Sequence, residues 1–444
     1  MESTWSQTAK IQKRDPLRED KSTEVVIIGA GMAGVLIACE LQSKGVDCIV
    51  LEADRIGSGQ TKNTTAKITS QHALKYDQLI QQFGVDMAKQ YAHANETAIN
   101  SYERMITENQ IDCEFQRCPA YLYSQVDKKK LENEVEAAKQ LGIQAEFTTE
   151  TTLPFPVEGA VKFKAQAQFH PLKFLKAAAE GLDIYEDTKV VKVEGNKVRT
   201  EKWTVTGKHI IFATHFPFIN KPGYYFSRMY QERSYVVGVS QAAQMDGMYY
   251  GIDKGGLSLR NYGDLLLVGG GQHRTGDNTE GGKYLMLQDE AKQYWKDCKV
   301  EARWSAQDCM TLDKIPYIGR FSKEIENWYV ATGFGKWGMS SSMVSAHILA
   351  DMITGRENQD SAIFSPQRSK TSEAVWCLVD NGVQSVKGLG KNVLHNPEKK
   401  TCPHMGCALE WNPDESAFEC PCHGSRFDKD GKLLNNPAQE DLKL

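Results

Sequence analysis

No apolar run in the chain reaches the about eighteen residues that a membrane span requires. The longest candidate, Val25 to Ala38, is interrupted by Gly29, Gly31 and Gly34 and reads as strand, turn and helix. There is no apolar segment near the start either: Met1 to Lys21 is charged and polar, which predicts a disordered leader over 1–21 and no secretory signal. Strong charge of one sign is missing. A net charge of −4 over 444 residues leaves no footprint for nucleic acid or an anionic membrane. Low-complexity tracts are absent. Seven of the 11 cysteines (Cys39, Cys48, Cys113, Cys118, Cys298, Cys309 and Cys377) are scattered rather than framed as a disulfide scaffold. That scatter fits free thiols in a reducing compartment, and a cytoplasmic protein is the expectation. What remains is an ordinary globular composition, too long for one core and suited to roughly two to four domains.

The first informative stretch follows the leader. Val25–Ile28 is a continuous apolar strand of the kind buried in parallel sheets. Gly29, Gly31 and Gly34 then form G-x-G-x-x-G, a helical pattern runs to Lys44-Gly45, and a second strand, Cys48–Leu51, ends in Glu52. Gly29 permits the tight turn, Gly31 lets backbone approach a pyrophosphate, and Gly34 lets helix and strand pack closely. The helix N-terminus stabilises phosphate charge, and Glu52 can accept both ribose hydroxyls, which disfavours a 2′-phosphorylated nucleotide. Dinucleotide binding is the expectation. A second glycine run, Gly269-Gly-Gly271, is followed by no apolar helix and reads as a turn, so no separate NAD(P) domain is expected.

The second informative stretch lies near the end. Cys402-Pro-His404 and Cys420-Pro-Cys422-His423 form two knuckles around Ala408–Glu419. Zinc sites more often group like ligands. One thiolate and one imidazole per knuckle suits a [2Fe–2S] cluster in which two Cys hold one iron and two His the other, the Rieske arrangement. A Cys₂His₂ zinc knuckle is the alternative.

Arg55 to His72 is a polar Gly/Thr-rich loop directly after Glu52. With it the chain resembles the D-amino-acid-oxidase-type FAD oxidoreductases, in which such a loop lies along the pyrophosphate towards the flavin. Gln168 to Ala179 resembles the family's re-entry into the FAD domain, and the strand around Val190 the one whose backbone meets adenine. Ala213-Thr214 resembles a strand end that usually continues with glycine; here His215 takes that place. Gly333, Gly335, Gly338 and Met339 resemble a glycine loop and helix start facing the flavin, where the helix dipole stabilises an anionic reduced flavin. The resemblance implies FAD contacts at Gly29, Gly31, Gly34, Glu52, Gly59, Thr64, Thr65, Ala66, Val190, Gly333, Gly335, Gly338 and Met339.

From roughly Ala374 onward the chain resembles cytochrome bc-type Rieske proteins. That resemblance implies Cys402, His404, Cys420 and His423 as iron ligands, Cys407–Cys422 as a disulfide, Asn436-Pro437-Ala438 as a covering loop and Ser425 as a donor to cluster sulfur. Phe427 stands where high-potential members have tyrosine, so a potential below their upper range is expected, since hydrogen bonds to the sulfurs raise it.

The expected architecture is an α/β FAD-binding domain, Rossmann-like and of the glutathione-reductase type (22–76, 169–221 and 306–355). To it are added an α+β substrate domain (77–168 and 222–305), a linker (356–373) and an all-β Rieske domain (374–444). The expected function is oxidation of a small organic substrate at FAD; the resemblance implies an amine or amino acid. Rieske potentials of roughly −150 to +300 mV make the cluster an acceptor of electrons from reduced flavin, delivering them one at a time to an unknown acceptor. The competing reading is an electron-transfer or redox-sensing protein without an organic substrate. An oxygenase is disfavoured because no 2-His-1-carboxylate iron domain is present. Candidates for the flavin face are Lys67, His72, Arg303 and Trp304. Expected partners are the small-molecule substrate and the electron acceptor, with no nucleic acid and no membrane span.

Overall fold

The apolar run Val25–Ile28 lies at the centre of an eight-stranded sheet. In this computed structural model, which describes residues 2–368 and 400–443, strand Lys21–Ile28 pairs in parallel with Thr204–Phe212 on one side and Cys48–Leu51 on the other. The sheet continues to Trp328–Thr332 and Tyr317–Arg320 at one edge and Ile184–Tyr185 at the other. Both faces of the central strand are covered. Val25 and Ile27 feed one core, shared with helices Met32–Ser43 and Gly338–Ile353, whereas Val26 and Ile28 feed a second core on the opposite face. This is why the strand reads as an unbroken apolar run rather than an alternation.

A nine-stranded sheet stands beside the first. Its order begins Lys299–Thr311, Met229–Ser240, Leu265–Arg274, Ser258–Tyr262, Met248–Gly251, Gln116–Ser124 and Gly159–Gln168, and ends at the short strand Lys67–Ile68. Helices Tyr76–Phe83, Val85–Glu108 and Lys128–Gln140 accompany it. The C-terminal module is a four-stranded antiparallel sheet of Glu410–Asn412, Ala417–Glu419, Arg426–Asp428 and Leu433–Asn435. Part of the expected linker (369–373) and the start of the expected Rieske domain (374–399) lie outside the described residues. Among the described residues no helix is long and apolar enough to cross a membrane.

The expectation of a disordered leader is corrected by the fold. Thr4–Thr8 is a helical turn, and the Trp5 side chain is fully buried. Its Nε1–H donates to the Thr64 carbonyl at 2.7 Å, and its ring meets Tyr262 and His170 edge-on. Downstream, Arg14 N–H donates to Glu186 and Leu17 N–H to Thr188 Oγ1, and Lys21 already belongs to the first strand. One aromatic anchor and a series of backbone hydrogen bonds order a segment whose polarity suggested disorder; every partner is remote in sequence.

Candidate functional site: two cofactor sites on one sheet

The glycine-rich turn opens onto a cavity of about 940 Å³ lined by residues of the two large sheets and, at one end, by Leu433, Asn435 and Asn436 of the C-terminal module. Gly29 has φ +107°, and a Cβ there would lie 2.6 Å from the Ala213 carbonyl oxygen. A Cβ on Gly34 would lie 1.9 Å from the Gly29 oxygen, so helix and turn touch without room for any side chain. Met32 N–H, at the helix start, donates to Thr61 Oγ1 at 2.9 Å. Glu52 accepts from Ala30 N–H at 2.8 Å on one oxygen and Asp54 N–H at 2.9 Å on the other. Each oxygen keeps a second lone pair for a hydroxyl. Burial pushes the Glu52 carboxyl upward despite these bonds.

Of the expected FAD contacts, Gly29, Gly31, Glu52, Gly59, Thr64, Thr65, Val190, Gly335, Gly338 and Met339 line this cavity. Gly34 stands behind the turn, Ala66 is wholly buried, and Gly333 lines an adjoining cavity of about 300 Å³. The cradle fits a dinucleotide: its backbone approaches are ones a Cβ would fill. Sequence reasoning missed Arg260, a buried guanidinium that donates to the carbonyls of Thr65 and Ala66 and holds the loop in place.

The four candidates for the flavin face separate. Lys67 lines the main cavity, where its ammonium donates to the Tyr249 carbonyl (2.8 Å) and Ser258 Oγ (2.7 Å); burial pushes it down to about 7. His72 lines the adjoining cavity, stacked on Trp337 at 4.8 Å and bonded to Tyr91 and Thr69, with burial holding it down at about 3. Arg303 is exposed and lies over the Tyr284 ring. Trp304 is buried and donates to the Asn63 carbonyl, bracing the loop. Lys67 and His72 are therefore at the cavities, while Arg303 and Trp304 line neither of them.

The structure adds groups that no motif announced. Asp308 lines the main cavity, Glu232 and Trp337 the adjoining one (Trp337 both), and Lys336 both; Glu232 and Asp308 are direct cross-strand partners. Lys336 Nζ pairs with Glu232 Oε2 at 3.2 Å. His215, in the place of the usual glycine, adopts φ +66° and lines the cavity; burial pushes its imidazole down to about 4.

At the C-terminal module both knuckles fold alike. Gly406 N–H donates to the Cys402 carbonyl at 2.8 Å and Gly424 N–H to the Cys420 carbonyl at 2.9 Å, with Gly406 and Gly424 at positive φ. Cys402 and Cys420 are buried, and the rings of His404 and His423 lie 5.1 Å apart at 89°. The Nδ1 atoms of both histidines are buried with no hydrogen-bond partner among the described residues. Two imidazole nitrogens orphaned beside two buried thiols fit a bound metal cluster. Cys407 and Cys422 are joined as a disulfide. Ser425 Oγ accepts from Ala438 N–H at 2.9 Å, which leaves its own proton to donate, and Phe427 is fully buried in the module's core. His404 Nε2 lies 3.0 Å from Asn220 Oδ1, so a ring bound through Nδ1 has its other N–H satisfied.

The family model "FAD dependent oxidoreductase" (DAO) matches residues 24–352, and the model "Rieske [2Fe-2S] domain" matches 397–444. The chain belongs to the DAO family of FAD-dependent oxidoreductases. It carries a C-terminal Rieske domain, and its cofactors are FAD and a [2Fe–2S] cluster. It is 34% identical, over 100% of its own length and 97% of the relative's, to YhfW of Bacillus subtilis (strain 168), named as a Rieske 2Fe-2S iron-sulfur protein. It is 22% identical to gamma-glutamylputrescine oxidoreductase of Escherichia coli (strain K12), over 77% of this chain and 86% of the relative. The glycine oxidase structure from Geobacillus kaustophilus superposes with a TM-score of 0.66 at 18% identity, covering 79% of this chain and 100% of that one; this likeness concerns the fold.

In this oxidoreductase the Rieske domain packs against the face of strands Met229–Ser240 and Lys299–Thr311 opposite to Glu232 and Asp308, and its last strand, with Leu433 and Asn435, also reaches the wall of the main cavity. Gln231, Arg233 and Gln307 face it. Gln231 Nε2 donates to the carbonyls of His423 (2.8 Å) and Asn436 (3.1 Å), and Gln307 Nε2 to the carbonyl of Gly424 (2.7 Å). Arg233, buried, pairs with Glu415 at 2.7 Å and Glu419 at 3.5 Å, and Arg426 pairs with the same two acids. Gly276 N–H donates to Glu419, and Asn278 bonds Asn412 and Asp414. Phe226 stands edge-on to both His404 and His423.

Proposed function

We propose that the protein oxidises a small amine or amino acid at FAD and passes the electrons singly through the Rieske cluster to an external acceptor. The observation that carries this reading is the shared sheet: strands Met229–Ser240 and Lys299–Thr311 front the FAD cavity with one face and hold the cluster loops with the other. When bound, FAD supplies a two-electron hydride acceptor and the cluster a one-electron carrier.

The chain's residues serve both halves. Gly338 and Met339 bring the N-terminus of helix Gly338–Ile353 to the cavity wall, where its partial positive charge stabilises negative charge developing at that end. Tyr250 and Trp337 line both cavities and set two aromatic rings, 5.5 Å apart, where the cavities meet. Gln231 and Gln307 hold the cluster loop one strand layer behind, a thickness on the order of 10 Å. The amine or amino-acid class is supported by the relatives, named for gamma-glutamylputrescine and glycine.

Anaerobic mixing of the holoenzyme with a panel of amines and amino acids, followed at the flavin and cluster absorption bands, tests the reading. Bleaching of the flavin followed by the cluster is expected. If a reduced protein donor bleaches the flavin and no member of the panel does, the protein is an electron relay instead.

A further inference from the structure

Period-2 alternation along Lys299–Thr311 aims Asp308 away from the Rieske domain and into the FAD cavity. Directly opposite, Glu232 is its cross-strand partner. Like charges so paired repel, and the nearby cation Lys336 is already engaged, bound to Glu232 at 3.2 Å. The Asp308 carboxylate accepts no hydrogen bond among the described residues, and Lys67, another of the lysines on the cavity wall, is spent on Tyr249 and Ser258. In the adjoining cavity Lys75 donates to the Lys314 carbonyl. The rings of Tyr250 and Trp337, 5.5 Å apart, line both cavities, and His72 stacks on Trp337. A half-buried carboxylate that accepts no hydrogen bond, beside electron-rich ring faces, recognises an organic cation.

We propose that Asp308 binds the ammonium group of an amine substrate and takes up its proton, making it the catalytic base that sequence reading did not find. This rests on the amine-oxidation reading above. The step balances as follows. The N–H bond of R₂CH–NH₃⁺ breaks, its proton passes to the Asp308 carboxylate, and the freed nitrogen lone pair forms the C=N bond. The carbon's hydrogen leaves with its electron pair for the oxidised flavin. The products are an iminium ion, which water converts to a carbonyl compound and ammonium, and reduced flavin.

The charged groups facing Asp308 agree with this role. Burial raises its carboxyl most, to about 7; Lys336 and Arg233, the latter across the sheet, pull it down, and Glu232 adds to the rise. His215, on the same cavity wall, is held neutral by burial. A carboxyl balanced near neutrality can both take a proton and return it to solvent.

The test is made on the FAD- and cluster-loaded protein with benzyltrimethylammonium, a cation that has no N–H to lose, and benzoate as the anionic control, both read from the shift they cause in the flavin spectrum. The cation is expected to bind the native protein, more tightly as pH rises through about 7 as Asp308 ionises, and to bind Asp308→Asn about tenfold more weakly with no pH dependence in that range. Asp308→Glu restores the carboxylate and the pH dependence, which separates charge recognition from a folding defect. The proposal is overturned if Asp308→Asn binds the cation as tightly as the native protein, if the native protein does not bind it, or if benzoate binds in its place. If the probe binds through Asp308 and no amine reduces the flavin, the cation site stands and the oxidation reading falls. If amines reduce the flavin equally fast in Asp308→Asn, the oxidation reading stands and this proposal falls.

Discussion

Gln307 and Asp308 are neighbours in sequence that work on opposite sides of one strand. Gln307 Nε2 donates to the Gly424 carbonyl of a cluster loop at 2.7 Å, whereas Asp308 lines the FAD cavity. Replacing Gln307 by Leu leaves the Gly424 carbonyl and the Gln231 side chain without their buried donor, a cost of about 1–3 kcal/mol. The expected result is slower reduction of the cluster after the flavin has been reduced in a single turnover, read by stopped-flow absorbance. Unchanged cluster reduction would show that this contact does not position the loop.

Arg233 anchors the Rieske domain through Glu415 and Glu419. Arg233→Leu leaves two buried carboxylates sharing Arg426 alone, and breaking such a network costs about 3–5 kcal/mol. Calorimetry of the holoenzyme should show a destabilised Rieske domain or its separate unfolding; a shift smaller than about 1 kcal/mol contradicts the role.

The same acids set an acid limit. Burial pushes Glu415 and Glu419 upward, but Arg233 and Arg426 pull harder, and both carboxyls end below their ordinary value. A group depressed on folding contributes stability that is fully present above its unfolded value of about 4.3 and disappears as pH falls through the folded one. Their contribution should therefore be constant from neutrality down to about pH 5 and be lost below about pH 4. A thermal midpoint followed against pH checks this, with Arg233→Leu expected to flatten the acid limb.

Gly34→Ala places a methyl 1.9 Å from the Gly29 oxygen. Backbone must move at the turn that approaches the pyrophosphate, so the purified variant should carry little FAD while retaining its cluster absorption. Full flavin occupancy would contradict the cradle.

Phe427 is fully buried and pairs across strands with Phe418. Phe427→Tyr adds a hydroxyl in the core shared with the module's cysteines. If that hydroxyl donates to sulfur, the midpoint potential rises. A redox titration that shows a fall, or no change, removes Phe427 as a determinant.

Trp5 fills a fully buried site and donates to Thr64 on the FAD loop. Trp5→Ala should cost about 3–5 kcal/mol and weaken FAD retention, both measurable by thermal unfolding with and without added FAD.

Local chemistry made much of this protein legible in one dimension. Gly29, Gly31, Gly34 and Glu52 are spaced by the geometry of a turn, a helix start and a strand end. Cys402, His404, Cys420 and His423 are spaced by two like knuckles. Short-range stereochemistry dictates such patterns, so they survive being read without a fold. The Trp5 segment did not: its anchors Thr64, His170 and Tyr262 are remote, and a polar stretch with one aromatic resembles a tail until they are brought to it. Arg303 and Trp304, plausible by residue type, fell on the outer face and against the loop.

The sequence by itself determined which cofactors the chain holds and the local turns that hold them, because ligand and phosphate geometry is set over a few bonds. Only the tertiary structure decided where the two sites stand relative to each other and which acid faces the cavity. Glu232 and Asp308 are 76 residues apart and meet because antiparallel register places them opposite. The alternation that aims Asp308 at the main cavity and Glu232 at the adjoining one aims Gln231, Arg233 and Gln307 at the Rieske domain, through contacts between strands that no single stretch of sequence contains.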